Sequence, residues 1–243
     1  MKILAFDTST SSCSTVVWQD EKIIAYRYKN MGRGHAEHLM SMVVEVLKET
    51  KVKFSDLDLL AVTNGPGGFT GIRVGLAAAR GISFASDLDC MCVSTLEVVA
   101  NGVLSSERDD ALVLAAIDSK REDIYSQAFI NIINKPELLP LGKPKAVLPE
   151  NLANFLDLQV PDQSNLSGRV VVTGDATARA VRALRNSEID AVASSTNLVL
   201  DARGVASLAA VRCTGEVSVE RLQPLYLRPA DAKIPKNGGR LRP

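Results

Sequence analysis

The stretch Gly65-Pro66-Gly67-Gly68-Phe69-Thr70-Gly71 lies between an apolar run, Leu59 to Thr63, and a segment with helical character, Ile72 to Ser86. Glycine allows backbone conformations that are closed to other residues. A glycine-rich turn between a buried strand and a helix is typical of loops that hold an anion at the helix N-terminus. The stretch has neither the Gly-Lys-Ser/Thr ending of a P-loop nor the GxGxxG spacing of a dinucleotide site. The alternative interpretation is a tight turn without a ligand.

The segments around this loop predict an α/β half-molecule. Apolar runs and polar–apolar alternation indicate strands, and an apolar period near 3.6 indicates helices. We predict an antiparallel three-stranded meander, a helix, a buried strand, a second helix, a short strand and a third helix. They cover Lys2 to Asp7, Cys13 to Gln19, Lys22 to Tyr28, about His35 to Lys51, Leu59 to Thr63, about Ile72 to Ser86, a strand ending at Val93, and a helix beginning near Ser94 or Thr95.

The same plan recurs later in the chain. Strands are predicted over Leu112 to Asp118, Ile124 to Ile132 and Val170 to Thr173, and helices from Pro149 and from about Ala176 to Arg185. Two short stretches repeat in letters: Ala5-Phe6-Asp7-Thr8 as Ala116-Ile117-Asp118-Ser119, and Val62-Thr63 as Val172-Thr173. Both offsets are about 110 residues, which is a usual domain size. The chain is therefore predicted to contain two similar α/β halves that arose by duplication.

The predicted halves are residues 1–105, which carry the partner-binding helices, and residues 106–232, with the boundary in the polar segment Gly102 to Asp110. The last part of the second half, near Leu225-Tyr226-Leu227, is expected to pack back on the first half. Residues 233–243 are predicted to be a flexible basic tail. From Arg221 onward six residues are basic and one is acidic, whereas the whole chain has 28 of each kind. The neutral total thus combines a mildly acidic body with a basic C-terminal segment.

Composition excludes several classes of protein. Of the 243 residues, 46% are hydrophobic and 23% are charged, which excludes a disordered chain. The balanced charge disfavours a nucleic-acid-binding protein that works alone. The longest apolar run, Ala111 to Ile117, is too short for a membrane span, and no export signal is visible. The four cysteines fit neither a zinc pair nor a disulfide framework. We expect a cytoplasmic protein without membrane contact.

Two turns carry residue types that bind phosphate in other proteins. A turn such as Asp7-Thr8-Ser9-Thr10 can offer backbone N–H groups and hydroxyls to phosphate, and its carboxylate can act through Mg²⁺. The alternative is an Asx-turn that satisfies only its own backbone, which is the better interpretation of this turn alone. Asp118 occupies the corresponding place in the second half, where the loop lacks glycine. We treat these loops as vestigial nucleotide or phosphate sites, with the candidate residues Asp7, Thr8, Ser9, Thr10, Gly67, Gly68, Thr70, Asp118 and Gly174.

Two helices of the first half are candidates for a partner interface. The helix from His35 has more apolar positions than one core-facing stripe needs, so a second face around Met40, Val44 and Leu47 is expected to be covered. Arg73, Leu76 and Arg80 are spaced to share an outward face of the glycine-rich helix. The alternative is ordinary packing inside the protein. The predicted interface residues are His35, Leu39, Met40, Val43, Val44, Leu47, Arg73, Leu76 and Arg80.

His35 and His38 are the two histidines of the chain. A metal site needs a third convergent ligand, and none stands at a recognisable spacing. Two histidines also give no basis for a Ser-His-Asp arrangement. No metal site and no catalytic residue are predicted.

Together these features resemble the TsaB (YeaZ) family, and the resemblance covers nearly the whole chain. The glycine loop followed by Ile72-Arg73-Val74-Gly75 is the most specific part. The other matching stretches are Ile3 to Thr10, Val93-Ser94-Thr95-Leu96-Glu97, Ile117-Asp118 with Tyr125, Thr173-Gly174-Asp175, and Pro224-Leu225-Tyr226-Leu227-Arg228.

The resemblance implies an actin-like ATPase (ASKHA, RNase H-like) fold with two similar halves. It implies a non-catalytic scaffold subunit, required for threonylcarbamoyl transfer to the adenosine next to the anticodon of ANN-decoding tRNAs. The implied partners are a TsaD-like transferase, which carries an HxxxH metal motif that this chain lacks, and a TsaE-like ATPase. In isolation a homodimer is implied, and tRNA is contacted indirectly through the complex. No cofactor is implied for this chain; ATP and Mg²⁺ belong only to the complex interface.

Two enzymatic alternatives remain open at this point. The Asp7 turn, the glycine loop and the strand ending at Gly174 are compatible with an active nucleotide-dependent ATPase or phosphotransferase. A metal-dependent peptidase would need ligands that the sequence does not show.

Overall fold

Two five-stranded mixed sheets organise the protein. The computed structural model describes residues 1–109, 111–132, 134–160, 168–196, 200–213 and 222–228. The first sheet has the strand order β3-β2-β1-β4-β5. Its strands are β1 (Lys2–Asp7), β2 (Ser12–Gln19), β3 (Lys22–Asn30), β4 (Leu59–Gly65) and β5 (Cys90–Ser94), and the helices of this half are α1 (His35–Thr50), α2 (Phe69–Ser86), α3 (Thr95–Asn101) and α4 (Ser105–Arg108).

The second sheet repeats this plan with the order β10-β9-β6-β7-β8. Its strands are β6 (Leu112–Asp118), β7 (Ile124–Ile130), β8 (Leu139–Val147), β9 (Arg169–Thr173) and β10 (Asp190–Ala193), with the helices α5 (Leu152–Gln159), α6 (Thr177–Asn186) and α7 (Ala202–Arg212). In both sheets an antiparallel meander is followed by two parallel strands, so each strand of one half has a counterpart in the other. The predicted actin-like α/β fold with two similar halves is confirmed.

The strand register shows which sequence match marks the duplication. Val62 of β4 pairs with Phe6 of β1. Val172 of β9 pairs with Leu114 of β6, not with Ile117, which is the counterpart of Phe6 by sequence. Asp7 and Asp118 do end equivalent strands. The Val62 and Val172 match is therefore not a structural equivalence, and the order of elements carries the evidence for duplication.

The elements stack in five layers. Helices α1 and α2 pack on one face of the first sheet through an apolar cluster that includes Leu39 and Ile72. Helices α3 and α7 lie between the two sheets and share a second cluster with both of them. Helices α5 and α6 cover the outer face of the second sheet. The central cluster makes one continuous core of the two halves.

Helix α7 follows the second half in sequence but packs against strands β1 and β2 of the first half. The backbone N–H of Ala202 donates to Ser14 Oγ at 2.9 Å. Asp201 caps the helix by accepting from the N–H of Arg203 and also accepts a hydrogen bond from the Tyr26 hydroxyl. This side-chain network fixes α7 to the first sheet.

Most predicted elements are present, and the differences are local. The helix after β5 begins with the predicted cap at Ser94, reinforced by Glu97 in a capping box. Pro149 opens a 3₁₀ turn, Pro149–Asn151, rather than the α-helix itself. The strand predicted to reach Ile132 ends at Ile130. Strands β8 and β10 and helices α4 and α7 are additions that the sequence patterns do not predict.

Within the described residues, no helix combines the length and the apolar character needed to cross a membrane. The predicted basic tail, residues 233–243, lies outside the described residues.

Candidate functional site

The turn after β1 buries a carboxylate. Asp7 is 0% exposed, and its Oδ1 accepts hydrogen bonds from the Ser9 backbone N–H, the Ser9 hydroxyl and the Thr63 hydroxyl. Its Oδ2 has no hydrogen-bond partner among the described residues. Burial raises the pKa of the Asp7 carboxyl above its ordinary value, although the hydrogen bonds from Ser9 and Thr63 act in the opposite direction. Asp7 Oδ1 thus makes the hydrogen bond of an Asx-turn with the Ser9 N–H, whereas Oδ2 is left without a partner among the described residues.

The glycine loop packs against this turn instead of enclosing an empty site. The N–H of Gly68 donates to the Ser9 carbonyl at 2.7 Å. A Cβ atom on Gly67 would overlap the Ser9 carbonyl, and one on Gly71 would overlap the Thr8 carbonyl. Thr8 Oγ1 donates to the Gly71 carbonyl at 2.8 Å. The glycines are needed because the backbone of the first turn lies directly on the start of α2.

The structure therefore brings together most of the predicted loop residues of the first half. Asp7, Thr8, Ser9, Gly67 and Gly68 form one contact region. The other two predicted residues, Thr10 and Thr70, make no hydrogen bond to this region through their side chains. Thr10 bonds to Ser12 through its hydroxyl at 3.0 Å, and Thr70 is exposed on the first turn of α2.

The counterpart in the second half is built differently. Asp118 accepts hydrogen bonds from the Lys120 backbone N–H and from Lys120 Nζ, and forms an ion pair with Arg179. Burial acts to raise the pKa of Asp118, but the Lys120 hydrogen bonds and the neighbouring charges outweigh it, and the pKa is lowered. The Asp118 N–H donates to Asp175 Oδ1 at 2.7 Å, which places the residue after Gly174 beside this turn.

Gly174 follows β9 with a φ of 111°, and a Cβ atom there would overlap the Ala116 carbonyl. Thr10 and Gly174, from opposite halves, both line a cavity of about 440 Å³ between the halves. Of the predicted loop residues, Thr10 and Gly174 thus reach the cavity, whereas Asp7, Gly67, Gly68 and Asp118 are not among the described residues that line it. The polar groups of the predicted loops are largely bonded to each other.

Helix α1 presents part of its predicted second face to solvent. Met40 is 42% exposed and Val44 is 57% exposed. Leu39, Val43 and Leu47 are 1%, 0% and 8% exposed and belong to the core. Their assignment to a partner surface is wrong, because the core-facing stripe of α1 is wider than the spacing argument assumed.

Helix α2 requires a similar correction. Arg73 and Arg80 are exposed, but Leu76 is 2% exposed and packs against the first sheet. Its assignment to the outward face is wrong. The residue that completes this face is Phe84, which is 92% exposed. Ala77 and Gly81 lie between the arginines and Phe84 on the same side, and both are exposed. The i, i+4, i+7, i+11 spacing from Arg73 is the sequence signal that identifies Phe84.

Both arginines of α2 also hold a C-terminal segment, which we call the strap (residues 222–228). Arg73 Nε donates to the Tyr226 hydroxyl at 2.8 Å, and Arg80 donates to the Leu222 carbonyl. Tyr226 stacks on Phe69, with ring centroids 5.1 Å apart. The strap also contacts the second half, where Arg228 forms an ion pair with Asp123 at 3.0 Å. The strap therefore lies along one edge of the exposed face of α2.

The two histidines have separate hydrogen-bond partners. His35 Nε2 lies 2.9 Å from the Thr10 carbonyl, and His38 Nε2 lies 3.0 Å from Lys29 Nζ. In the part of the chain that the structure describes, no three His, Cys, Asp or Glu residues are grouped as metal ligands would be.

Comparison with known proteins gives a consistent family. A family model described as TsaD, tRNA N6-adenosine threonylcarbamoyltransferase, matches residues 29–235. The tRNA threonylcarbamoyladenosine biosynthesis protein TsaB of Escherichia coli (strain K12) is 35% identical over 125 residues, which cover 51% of this chain and 53% of that protein. TsaB of Bacillus subtilis (strain 168) is 28% identical over 126 residues, 52% of this chain and 54% of that protein. The chain spans about half the length of these curated relatives.

Two solved structures from Pseudomonas aeruginosa match over a greater length. One, described as an uncharacterized protein with similarity to peptidase YEAZ, has a TM-score of 0.72 and 28% identity, and covers 93% of this chain and 99% of its own. The other, described as YeaZ, has a TM-score of 0.69 and 26% identity, with coverage of 93% and 99%.

Proposed function

Because the chain belongs to the TsaB (YeaZ) proteins, within the family that the TsaD model describes, we propose that it acts in tRNA threonylcarbamoyladenosine biosynthesis as a non-catalytic scaffold that binds a TsaD-like transferase. The reaction it serves is threonylcarbamoyl transfer to the adenosine next to the anticodon of ANN-decoding tRNAs. The chain itself supplies a surface, and the transferase supplies the chemistry.

The observation that carries this proposal is the exposed apolar face of α1 and α2. We define this outer face by Met40, Val44, Ala77, Gly81 and Phe84. A phenylalanine that is 92% exposed gains nothing from water, and aromatic residues are enriched where partners bind. The small side chains at positions 77 and 81 let another helix approach closely beside it. An added Cβ on Gly81 would meet no atom within 4 Å, so no part of the described chain fills this space.

The match to the TsaD model supports the choice of partner. A transferase of the same family offers a helical pair built on the same plan, so two related chains can meet through corresponding helices. The same argument predicts a homodimer of this chain when the transferase is absent, because a self-complementary face forms two-fold contacts. A TsaE-like ATPase is proposed as a further member of the complex, and tRNA is reached through the complex.

The first turn and the glycine loop argue against chemistry in this chain. Asp7 accepts three hydrogen bonds from Ser9 and Thr63, and the Ser9 carbonyl occupies the Gly68 N–H. A phosphate would have to displace these bonds from a fully buried carboxylate. An active ATPase or phosphotransferase is therefore not favoured, and we place any ATP and Mg²⁺ at the complex interface. Tight ATP·Mg²⁺ binding or turnover by the pure chain in calorimetry would support that alternative.

Reconstitution of tRNA modification tests the proposal. The TsaD-like and TsaE-like proteins from the same source are incubated with tRNA, ATP and the threonylcarbamoyl donor system, with and without this chain. Modified adenosine is quantified in digested tRNA by mass spectrometry. We expect product only when the chain is present. Equal product in its absence would reject the scaffold function.

A further inference from the structure

The edge of α2 that lies beside the strap combines two arginines with two aromatic rings. We call it the strap edge and define it by Phe69, Arg73, Arg80 and Tyr226. Both arginines are exposed, and the two aromatic side chains are 41% and 40% exposed. Arg73 lies one helical turn before Ala77, so the strap edge is continuous with the outer face. The proposed function uses the apolar outer face and gives this edge no role.

The side chain of Arg73 is held in one orientation. Its guanidinium carbon lies 3.7 Å from the ring centroid of Phe69 and 5.9 Å from that of Tyr226. Its Nε donates to the Tyr226 hydroxyl at 2.8 Å. A guanidinium that is already stacked and oriented loses less conformational entropy when it forms further hydrogen bonds. Arg73 is therefore preorganised to bind a group beyond the strap.

The terminal nitrogens of Arg73 have no hydrogen-bond partner among the described residues. No ion pair of the described residues includes Arg73 or Arg80. Neither α2 nor the strap contains an aspartate or a glutamate. The strap edge is thus a cationic site whose charge is not neutralised by its own elements. Two N–H groups of an arginine match the two oxygens of a carboxylate.

Two cations beside an apolar face fit a protein partner better than a nucleic acid. Proteins bind the phosphate backbone through many cations, and such interfaces are strongly positive. Protein interfaces instead have an apolar centre and a polar rim. The outer face, with Phe84, supplies such a centre, and the strap edge supplies one side of its rim. Charges on a rim steer the correct partner and disfavour partners that carry like charge.

We propose that the strap edge recognises a carboxylate side chain of the TsaD-like transferase. Arg73 donates two hydrogen bonds to this carboxylate through its terminal nitrogens, and Arg80 adds a second positive charge about two turns further along α2. The hydroxyl of Tyr226 positions Arg73 by holding its Nε. This inference rests on the proposed function, because it names the chemistry that the partner presents beside the outer face.

Surface-plasmon titration of the transferase against variants of the full chain tests this recognition. Arg73→Gln should weaken binding at least about tenfold, and the remaining affinity should depend less on salt than that of the parent. Arg73→Lys keeps the charge but loses the planar fork, so it should recover only part of the affinity. Arg182→Gln, the same change at an exposed arginine of α6, is the control and should bind normally. Parental affinity in either Arg73 variant would overturn the proposal.

Tyr226→Phe separates recognition by Arg73 from attachment of the strap. This variant loses the hydrogen bond to Nε but keeps the aromatic ring and the charge of Arg73. We expect about threefold weaker binding, with the salt dependence of the parent. A loss as large as that of Arg73→Gln would mean that the attached strap supports binding, and it would contradict the proposal. If Arg73→Gln fails to fold, Arg80→Gln decides, and unchanged affinity there contradicts the proposal.

The remaining outcomes separate this inference from the proposed function. A parent chain that does not bind the transferase rejects both, whereas parental affinity in the arginine variants rejects the strap edge alone. Binding of tRNA by the assembled complex and self-association of the chain are measured in parallel. An effect of Arg73→Gln on tRNA binding alone would assign the edge to phosphate, and an effect on self-association alone would assign it to a second copy. Either result would overturn the proposal.

Discussion

Gly71 and Gly81 show that glycines in one helix can have opposite roles. Gly71 lies where the Thr8 carbonyl meets the first turn of α2, so that a Cβ atom has no room. Gly81 lies two to three turns later on the outer face, where a Cβ atom would meet nothing within 4 Å. The sequence shows both glycines in one helix, but only the tertiary contact separates a required glycine from a replaceable one.

The two substitutions Gly71→Ala and Gly81→Ala are expected to change stability in opposite directions. Overpacking at position 71 should lower the free energy of unfolding by about 1–3 kcal/mol. At position 81 the higher helix propensity of alanine should raise it by up to about 1 kcal/mol. Urea unfolding monitored by circular dichroism measures both. Equal effects of the two changes would contradict the packing of the glycine loop on the first turn.

The two aspartates at equivalent strand ends are expected to differ in their pH dependence. Burial raises the pKa of Asp7, so the folded protein holds this proton more tightly than the unfolded chain does. Its contribution therefore favours folding below the ordinary pKa and is lost as the pH rises through the folded value. The pKa of Asp118 is lowered, so its contribution is present above the ordinary value and is lost as the pH falls.

Asp7→Asn and Asp118→Asn remove these contributions one at a time. Relative to the parent protein, Asp7→Asn should gain stability as the pH rises from about 4 to 7, where an ordinary aspartate is ionised. Asp118→Asn should be destabilised at neutral pH and should approach the parent as the pH falls. Urea midpoints at several pH values report both differences. A parallel pH dependence of the two variants would refute the assigned environments.

Helices α1 and α2 show what apolar periodicity can and cannot predict about the exposed face of a helix. The excess of apolar positions on α1 correctly indicated an exposed pair, Met40 and Val44. It did not separate that pair from the core residues Leu39, Val43 and Leu47. Each exposed residue is next in sequence to a buried one, so apolar spacing alone does not show which of the two faces the core. On α2 the same periodicity indicated Leu76, which is 2% exposed and packs in the core, and did not indicate Phe84, which is 92% exposed.

If the outer face is the partner interface, substitutions on it should weaken partner binding without destabilising the fold. Met40→Asp and Val44→Asp should leave the melting temperature close to that of the parent, because both side chains are about half exposed and neither belongs to the core. An unpaired charge buried in an interface should weaken binding of the TsaD-like protein by at least about 2 kcal/mol, or about 30-fold in Kd. Calorimetric or surface-plasmon titration measures this. Ala178→Asp, the same kind of change at an exposed position of α6, is the control and should bind normally.

Normal binding by both α1 variants would mean that this face is not the interface. In that case the partner surface has to be sought elsewhere on the chain, although the fold assignment is unaffected. A variant of Val43, which is 0% exposed, is unsuitable for this test because a charge there would unfold the protein.

In the molecule as a whole, two long-range connections tie the halves together. Helix α7 returns to the first sheet, and the strap returns to α2, where the Leu225 N–H donates to the Asn64 carbonyl at 2.8 Å. The sequence patterns predict a docked segment near Leu225 but not α7, although Asp201 is a favourable N-cap residue at its start.

The basic tail predicts a contribution to tRNA binding by the assembled complex. Residues 233–243 carry Lys233, Lys236, Arg240 and Arg242 and no acidic residue. Deleting them should weaken tRNA binding and reduce the slope of log K against log salt by about 0.7–0.9 for each phosphate that the tail neutralises. Filter binding at several salt concentrations measures this, with replacement of the four cations by glutamine as the control for length. An unchanged affinity and slope would rule out an interaction between the tail and tRNA.

Local sequence patterns were sufficient to establish the α/β class, the duplicated order of elements and the family. Strand and helix periodicity, the glycine loop and the repeated strand ends can be recognised without knowing which segments meet. The structural role of the individual residues in those patterns was decided only by the tertiary packing. Gly67 and Gly71 make room for the carbonyls of Ser9 and Thr8 rather than for a phosphate. Phe84 completes the outer face. The residues Leu39, Val43, Leu47 and Leu76 are core residues. These outcomes depend on which surfaces of the folded chain pack together. Whether a side chain is buried is decided by its neighbours in the folded protein and not by its residue type alone.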